Sequence, residues 1–490
     1  MRSFRLRALV AGLAVLGLVV AAPTASGGPP GRWTKIGNPS ANFAQPGLAR
    51  TADGTLHLVW VRHTPGNAAA DDVVHTSIAA NGTVGATGVV QSAWASAWPQ
   101  PDLVLTADGG LRAFWGGIRS VQSNEQHTNI SSATAPSSGS PWTLQPGDVS
   151  EGAGGSSSSI GAAVAPDGTP LFSWSPGGEG FVHRGTDPAS ANHEFDTPGQ
   201  GCCNYDPDLA TDDATGEMWV AWYSNQADAE GIWVQEVDPA TGQPTGSPAR
   251  MPGTVTTYNG EEKSVQEIQR TPIAAPEGGG VFVAYTGGYP STNRVLVWKI
   301  GTSNAAVVAR SGDRELNTPG LAADPSGRLW VVWSQVDAGG TPIIFARRSN
   351  VGGSRWGAVV RLRPPRALGD CKALYSVTPS AQSSVLDVVA NFIDGCGAAV
   401  AFWHTQLRAG LSLTARPRTF TRRATVVFTV TDAGDPVEGA RVRVDGKSAT
   451  TGPDGQAEIA LGPYSSARRL TARATKAGYA AASARLRVRE

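Results

Sequence analysis

The chain has 490 residues, of which 40% are hydrophobic, 16% charged and 7% aromatic. Forty Lys and Arg balance forty Asp and Glu, so the formal net charge is zero, which excludes nucleic-acid binding driven by bulk charge. The length exceeds that of a usual single hydrophobic core, so we expect several domains or one large repetitive domain.

The N-terminus has the pattern of an export signal. Arg2, Arg5 and Arg7 precede an apolar run over residues 8–22, and the small, turn-prone stretch PTASGGPP follows. Fifteen apolar residues are too few to cross a bilayer, so the pattern predicts a signal peptide over residues 1–27, with an uncleaved anchor as the alternative. We therefore expect a secreted, extracellular protein without a transmembrane segment after signal cleavage.

Export makes the four cysteines candidates for disulfides. We expect Cys371 to pair with Cys396, because that bond closes a loop around two predicted strands. Cys202 and Cys203 are then left to pair with each other, although neighbouring Cα atoms lie only about 3.8 Å apart, which strains such a bond. Two free or separately bridged thiols at these positions are the alternative.

One pattern recurs seven times: an apolar strand, a turn with glycine or a polar pair, and a strand that ends in an aromatic residue. The copies are PGLARTADGTLHLVW (46–60), PDLVLTADGGLRAFW (101–115), IGAAVAPDGTPLFSW (160–174), PDLATDDATGEMWVAW (207–222), TPIAAPEGGGVFVAY (271–285), TPGLAADPSGRLWVVW (318–333) and TPSAQSSVLDVVANF (378–392). Their final aromatic residues are spaced by 48 to 63 positions.

Each copy predicts two strands and leaves about 30 residues for two more, as in Val73–Ile78 and Thr83–Val90 around Asn81-Gly82. Asp-Gly and Ser-Gly pairs suit tight turns between strands. Four strands per repeat of this length are typical of a propeller blade. The sequence therefore predicts an all-β fold with a seven-bladed β-propeller over residues 33–406; six blades or an array of β-sandwiches are the alternatives.

The first and last repeats predict how the ring closes. The seventh copy has strands near Ser376–Ala381, Val385–Phe392 and Ala398–Gln406 and lacks a fourth, whereas Trp33–Ile36 forms an unpaired strand before the first copy. Pairing these two ends would remove the exposed sheet edges. We expect this pairing.

Residues 411–490 form a separate basic module, with 14 Lys and Arg against 7 Asp and Glu. Turns at Ala433-Gly434, Asp445-Gly446 and Asp454-Gly455 separate short strands, which predicts a small β-sandwich. The motifs DAGDPVEGARVRV, TGPDGQAEI and KAGYAAA resemble the bacterial Ig-like and carboxypeptidase-regulatory-like families, which implies a spacer or adhesion module. Eight arginines could meet an anionic cell wall or form a solvated basic face: Arg418, Arg422, Arg423, Arg468, Arg469, Arg485, Arg487 and Arg489.

In a propeller, the loops that enter the first strand and leave the second strand of each blade share one face, around the channel mouth. These loops carry amides, carboxylates, arginines and aromatic rings, which bind sugars or peptides through hydrogen bonds and stacking. The candidate ligand-binding residues are Arg62, Gln100, Asp102, Arg119, Tyr205, Asp208, Tyr223, Gln269, Arg270, Tyr289, Asn317 and Tyr375.

The blade rhythm and closing aromatics of residues 33–406 resemble the sialidase-like (BNR-type) secreted propellers. The resemblance implies a glycoside hydrolase, for which Tyr205, Asp206 and Glu267 are the candidate catalytic residues. The Asp box S-x-D-x-G-x-T-W and the Arg-Ile-Pro element are absent, so the leading expectation is binding of a glycan or a cell-surface protein at the channel mouth. A sialidase-like hydrolase and a structural surface protein are the alternatives.

No cofactor is expected. The seven histidines show no metal-binding or catalytic spacing, and His57 and His75 lie within predicted strands, where they suit packing. Calcium is the alternative at YDPDLATDD (205–213), because carboxylate oxygens suit a hard cation. The sequence leaves the oligomeric state open.

Overall fold

The computed structural model describes residues 31–119, 129–150, 159–199, 203–226, 229–254, 269–288, 291–369, 373–393 and 399–490. The regular secondary structure of these residues consists of β-strands, and their only helix is a 3-10 turn at Arg366–Leu368. The prediction of an all-β chain is confirmed.

Up to residue 410, the described strands form seven sheets, numbered here in chain order; five have four strands and two have five. A first strand, β1 (Thr34–Gly37), precedes them. Sheet 1 contains β2 (Gly47–Arg50), β3 (Leu56–Thr64), β4 (Asn67–Ile78) and β5 (Val84–Trp94). Sheet 2 contains β7 (Asp102–Leu105), β8 (Leu111–Ile118), β9 (Asn129–Ala135) and β10 (Thr143–Leu144), and the short β6 (Ser96–Ala97) also pairs with β8.

The same order continues along the chain. Sheet 3 contains β11 (Ile160–Val164), β12 (Pro170–Trp174), β13 (Gly180–Arg184) and β14 (Asn192–Phe195). Sheet 4 contains β15 (Asn204–Thr211), β16 (Met218–Ser224), β17 (Gly231–Val237) and β18 (Pro244–Arg250). Sheet 5 contains β19 (Ile273–Ala274), β20 (Phe282–Gly287), β21 (Arg294–Lys299) and β22 (Ala306–Arg310). Sheet 6 contains β23 (Leu316–Asp324), β24 (Arg328–Val336), β25 (Pro342–Arg348) and β26 (Val360–Leu362). Sheet 7 contains β27 (Leu374–Gln382), β28 (Val385–Ile393) and β29 (Val400–Gly410).

Strand β1 completes sheet 7 by pairing antiparallel with β29, although more than 360 residues separate them. Lys35 lies opposite Trp403 and Thr34 opposite His404. The Trp33 ring meets Phe392 edge-on, with centroids 5.5 Å apart. The predicted pairing of the two ends is confirmed, and it covers the edge of β29 that would otherwise stay open.

The first strands of successive sheets contact one another in chain order, and the last, β27, also contacts the first, β2. Glycine makes the closest of these approaches possible. A Cβ atom on Gly161 of β11 would lie 2.4 Å from the Cα of Asp208 on β15, and one on Gly47 of β2 would lie 2.6 Å from the backbone of Asp102 on β7. The small residues of the repeats are therefore required where the first strands crowd together.

The aromatic residues that end the repeats fill the spaces between sheets. All seven are at most 3% exposed; they are Trp60, Trp115, Trp174, Trp222, Tyr285, Trp333 and Phe392. His57 and His75 are also buried, stack at 5.2 Å between ring centroids and share a hydrogen bond of 2.9 Å. Both histidines pack, as the sequence suggested.

The remaining strands form two sheets around one apolar core. The first sheet contains β30 (Ser412–Arg416), β32 (Ala424–Asp432), β33 (Asp435–Pro436) and β36 (Gln456–Leu461). The second contains β31 (Thr419–Thr421), β34 (Arg441–Val444), β35 (Lys447–Thr450), β37 (Arg468–Thr475) and β39 (Ala482–Arg489). Strand β38 (Tyr479–Ala480) instead pairs in parallel with the end of β29.

A buried ion-pair network attaches these two sheets to sheet 6. The Arg348 guanidinium donates to Asp324 of sheet 6 at 2.7 Å and also to Asp432 of β32. Arg328 forms a second ion pair with Asp435 at 2.8 Å. Because Arg348 and Asp432 are almost fully buried, the C-terminal sheets are held in one orientation rather than tethered by a loose linker.

The glycine contacts between first strands give a stability test. We expect Gly161→Ala to lower the free energy of unfolding by about 1–3 kcal/mol, because the added methyl group meets backbone rather than a flexible side chain. Gly88→Ala in β5 is the matched control, since a Cβ there meets nothing within 4 Å, and it should change stability by less than about 0.5 kcal/mol. Denaturant unfolding measures both, and equal effects would contradict the crowding of the first strands.

Candidate functional site

A cavity of about 200 Å³ lies where the first strands converge, and residues of all seven sheets line it. Its lining residues are Gln45, Leu48, Asp102, Leu103, Ala162, Asp208, Leu209, Arg270, Pro272, Ile273, Pro319, Gly320, Leu321, Val377, Thr378 and Pro379. Most of these residues are apolar or small. Three of them are ionisable, namely Asp102, Asp208 and Arg270, so the site has a charged centre among mostly apolar or small side chains.

Arg270 binds groups from three other sheets at once. Its Nη1 atom lies 2.5 Å from Asp102 Oδ1 of sheet 2, and its Nη2 donates to the Pro46 carbonyl beside sheet 1 at 2.6 Å. Its backbone N–H donates to Gln45 Oε1 at 2.8 Å. A longer contact of 3.4 Å reaches the Ile160 carbonyl of sheet 3. Because Arg270 itself leads into sheet 5, it ties sheets 1, 2, 3 and 5 together at the axis.

The two carboxylates beside Arg270 differ in their surroundings. Asp102 pairs with Arg270, and its Oδ2 accepts the backbone N–H of Ala162 at 2.7 Å. Burial, and then the negative charge of Asp102, raise the pKa of Asp208 to about 8, against the opposing effect of Arg270. Burial lowers the pKa of Arg270, but the two carboxylates outweigh it and raise that pKa above its ordinary value. Asp208 can therefore carry a proton at neutral pH while Asp102 stays paired.

A β-bulge at the start of β15 contains Tyr205 and Asp206, two of the three predicted catalytic residues. The register with β16 shifts between Tyr205 and Asp208, and Asp206 adopts φ 47°, an unfavourable region for a non-glycine residue. Asp206 is buried and accepts a hydrogen bond from the Ser159 hydroxyl at 3.1 Å, whereas Tyr205 is half-buried. Glu267 lies outside the described residues, so the Tyr205–Glu267 pair stays a prediction.

Several predicted ligand-binding residues surround the cavity without lining it. Gln100 and Gln269 are fully buried, and their side-chain amides donate to the carbonyls of Phe43 at 3.0 Å and Tyr375 at 3.1 Å. Asn317 and Tyr375 are half-buried and stand two residues before the lining residues Pro319 and Val377. The glutamines thus brace the strand starts, and a ligand-binding role of Asn317 and Tyr375 stays a prediction.

Three further candidates are not among the residues that line the cavity, and their ligand-binding role stays a prediction. Tyr223 is fully buried between sheets 4 and 5, where its ring stacks on Tyr285. Arg62 pairs with Asp72 inside sheet 1 at 3.3 Å. Arg119 pairs with Asp148 and covers the Trp94 ring.

The remaining predictions concern disulfide bonds and metal binding. No cysteine among the described residues is free; Cys202, Cys371 and Cys396, like Tyr289, lie outside those residues, so both disulfide pairings stay predictions. In the described ranges, no group of three or more His, Cys, Asp or Glu is placed to hold a metal ion. Calcium at residues 205–213 has no direct support and stays a prediction.

No sequence pattern predicts the position of Ser159 beside Asp206. Its hydroxyl contacts Asp206 of the neighbouring sheet, and a bridge joins it to Gln100. The only signal in the sequence is its position directly before β11, at the end of a serine-rich stretch. Nothing in that stretch distinguishes Ser159 from its serine neighbours.

No protein-family model matches the chain, and no curated protein matches it significantly. Solved structures with a similar backbone include a protein of unknown function from Dyadobacter fermentans, at 12% identity and TM-score 0.41, over 63% of this chain and 94% of that one. An α-L-arabinanase from Penicillium chrysogenum, in complex with arabinobiose, is similar at 12% identity and TM-score 0.41, over 68% and 97%. An α-L-arabinofuranosidase from Fusarium graminearum, in complex with an iminosugar inhibitor, is similar at 11% identity and TM-score 0.44, over 78% and 98%. In the described residues, no helix has the length and apolar character needed to cross a membrane.

The position of Arg270 predicts a large effect of its removal. We expect Arg270→Gln to lower the free energy of unfolding by about 3–5 kcal/mol, because it leaves Asp102 as an uncompensated buried charge. Arg310→Gln, at an exposed position of β22, is the control and should cost less than about 0.5 kcal/mol. Denaturant unfolding measures both variants. A near-neutral Arg270→Gln would show that Arg270 does not tie the sheets.

Proposed function

We propose that residues 33–406 form a seven-bladed β-propeller and residues 411–490 a β-sandwich of the bacterial Ig-like or carboxypeptidase-regulatory-like kind. We further propose that the protein is exported and binds a glycan at the mouth of its axial cavity. Seven sheets of four or five strands, with first strands in contact around one cavity and the last completed by β1, support the blade count. The buried network of Arg348 supports a fixed spacer.

The observation that carries the binding proposal is the charged centre of the cavity. Asp102, Asp208 and Arg270 offer hydrogen-bond acceptors and donors among mostly apolar or small side chains, which is how proteins orient a polar small ligand. The half-buried Tyr205 and Tyr375 stand just before lining residues on their strands. A sugar presents both hydroxyls for the charged groups and an apolar ring face for the tyrosines. A glycan therefore fits this mouth better than a bulky protein loop does.

A glycan array with the full chain tests the binding proposal. We expect the wild type to bind at least one class of glycan and Asp208→Asn to weaken that binding about tenfold or more, because the change alters a group that lines the cavity. Asp313→Asn makes the same chemical change at an exposed position and should have no more than about a twofold effect.

The outcomes of this array are distinct. Selective loss with Asp208→Asn supports binding at the cavity. Equal binding by both variants would place the glycan elsewhere on the molecule. An array without any signal from the wild type would contradict the proposal and favour the purely structural surface protein.

A specific observation favours a second candidate, hydrolysis of a glycosidic bond. Glycosidases commonly use a carboxylic acid of raised pKa beside a second, ionised carboxylate. Asp208, with its pKa of about 8, lies beside Asp102, and it is two positions beyond the predicted Asp206. In this reading Asp208 protonates the leaving oxygen, and Asp102, oriented by Arg270, is the second carboxylate.

Hydrolysis would have a defined pH dependence. The acid form of Asp208 predominates below its pKa of about 8, so turnover of a fluorogenic glycoside should fall as the pH rises through about 8. Asp208→Asn should reduce kcat by about 100-fold or more, and Asp313→Asn should leave it unchanged. Turnover that persists in Asp208→Asn, or a wild type without turnover on a broad substrate panel, would reject the enzymatic reading.

A further inference from the structure

The outer face of the second C-terminal sheet is rich in exposed arginines. In strands β34, β37 and β39, exposed and buried residues alternate except at the start of β37. The exposed positions carry arginine, serine or threonine. Seven exposed arginines share this face, which we call the arginine face: Arg441, Arg443, Arg469, Arg473, Arg485, Arg487 and Arg489. Their buried neighbours, such as Val442, Leu470 and Leu486, fill the apolar core.

The register brings these arginines together across the strands. Arg469 lies directly opposite Arg487, and Arg443 lies directly opposite Arg473. Like charges placed directly opposite each other destabilise a sheet. Every other cross-strand partner of the seven is a serine or a threonine, for example Thr471 opposite Arg485. Repulsion is therefore built into the free protein.

Carboxylates do not neutralise the arginine face. Within residues 412–490, all of which the structure describes, the ion pairs of Asp432, Asp435 and Asp445 involve other arginines: Arg328, Arg348, Arg355 and Arg468. The outward positions of the opposite sheet are almost neutral, with Ser412, Thr414 and Gln456 beside one Arg416 and one Glu458. The positive charge of the C-terminal residues is thus concentrated on one of two otherwise similar faces.

The surface chemistry narrows the partner. The exposed large apolar side chains of the described residues all lie at or before Val359, so the arginine face has no anchor for insertion into a bilayer. It carries no aromatic ring on which nucleic-acid bases could stack. Residue positions on this face lie about 5 Å apart across the strands and about 7 Å apart along them, and seven of these positions carry arginine. This regular array suits a linear polymer with repeated negative charges better than a single small anion.

We propose that the arginine face binds an acidic polysaccharide, with its arginines pairing with sugar carboxylates and its serine and threonine hydroxyls bonding to sugar hydroxyls. This site is separate from the axial cavity and does not depend on the function proposed for it. The bound polymer relieves the repulsion between Arg469 and Arg487 and between Arg443 and Arg473. The C-terminal sheets then act as an anchor on an anionic matrix and hold the cavity in a fixed orientation relative to it.

Binding of the full chain to polygalacturonate tests the proposal, with a neutral galactan as the uncharged probe. We expect wild-type binding to weaken steeply as the salt concentration rises from roughly 50 to 200 mM. The triple variant Arg469→Gln, Arg473→Gln, Arg487→Gln should bind about tenfold more weakly or worse. Because this variant removes like-charge contacts, its Tm should equal or exceed that of the wild type. Lysine at the same three positions keeps the charge but loses the planar fork and should bind with intermediate strength.

The matched control is Arg310→Gln, Arg366→Gln, Arg416→Gln, which removes the same charge from exposed positions on other surfaces. It should change the affinity by no more than about twofold. Equal losses in the two triple variants would overturn the proposal, as would equal binding of the neutral galactan or no wild-type binding at low salt. Tighter binding to anionic lipid vesicles or to duplex DNA than to polygalacturonate would also overturn it. Retained binding in Asp208→Asn separates this site from the cavity.

Discussion

The arrangement of the sheets depends on one long-range contact, the pairing of β1 with β29. A circle of sheets has no exposed edge only when the first segment of the chain returns to the last sheet. Here Lys35 lies opposite Trp403, and Trp33 packs on Phe392. The last sheet would otherwise have three strands and an open edge. Because the first strands also contact one another from β2 to β27, closing the last sheet fixes the wall of the axial cavity.

The same crowding at the axis accounts for the site. Glycine at positions 47 and 161 lets the neighbouring strands bring Asp102 and Asp208 close to the centre. Two carboxylates confined there need a compensating charge, which Arg270 supplies. Burial, and then the charge of Asp102, raise the pKa of Asp208, and Arg270 offsets this rise only in part. The group that ties the sheets is thus also the group that gives the cavity its chemistry.

The C-terminal sheets extend the same logic to the surface. Their buried ion pairs with sheet 6 remove a hinge between the two parts of the chain. A cationic sheet face that is rigidly attached can orient the cavity toward a matrix, whereas a flexible spacer could not. The two binding surfaces that we propose would therefore act in a fixed geometry.

Local sequence patterns predicted the strands well but not their neighbours. Asp-Gly turns, alternating residues and closing tryptophans are local signals, and they located β2, β3 and the partner strand for β1. The partners of Arg270 come from sheets 1, 2 and 3, and no local pattern reports such contacts. Tyr223 has the same difficulty, because its burial against Tyr285 depends on how neighbouring sheets pack. The sequence points to Arg422 and Arg423 as surface cations but not to Arg441, Arg443 and Arg473. The register between strands that are not adjacent in the chain decides which arginines share a face.

Amide hydrogen exchange of β1 tests the closure of the ring most directly. Residues 34–37 form a four-residue strand near the start of the described chain, and such a segment exchanges rapidly unless tertiary pairing protects it. If β1 completes sheet 7, those of its amides that donate to β29 should exchange as slowly as the amides of β29 and become exposed in the same unfolding event. Rapid exchange at 34–37 while β28 and β29 remain protected would show that the ring is open, and it would contradict the account of the cavity.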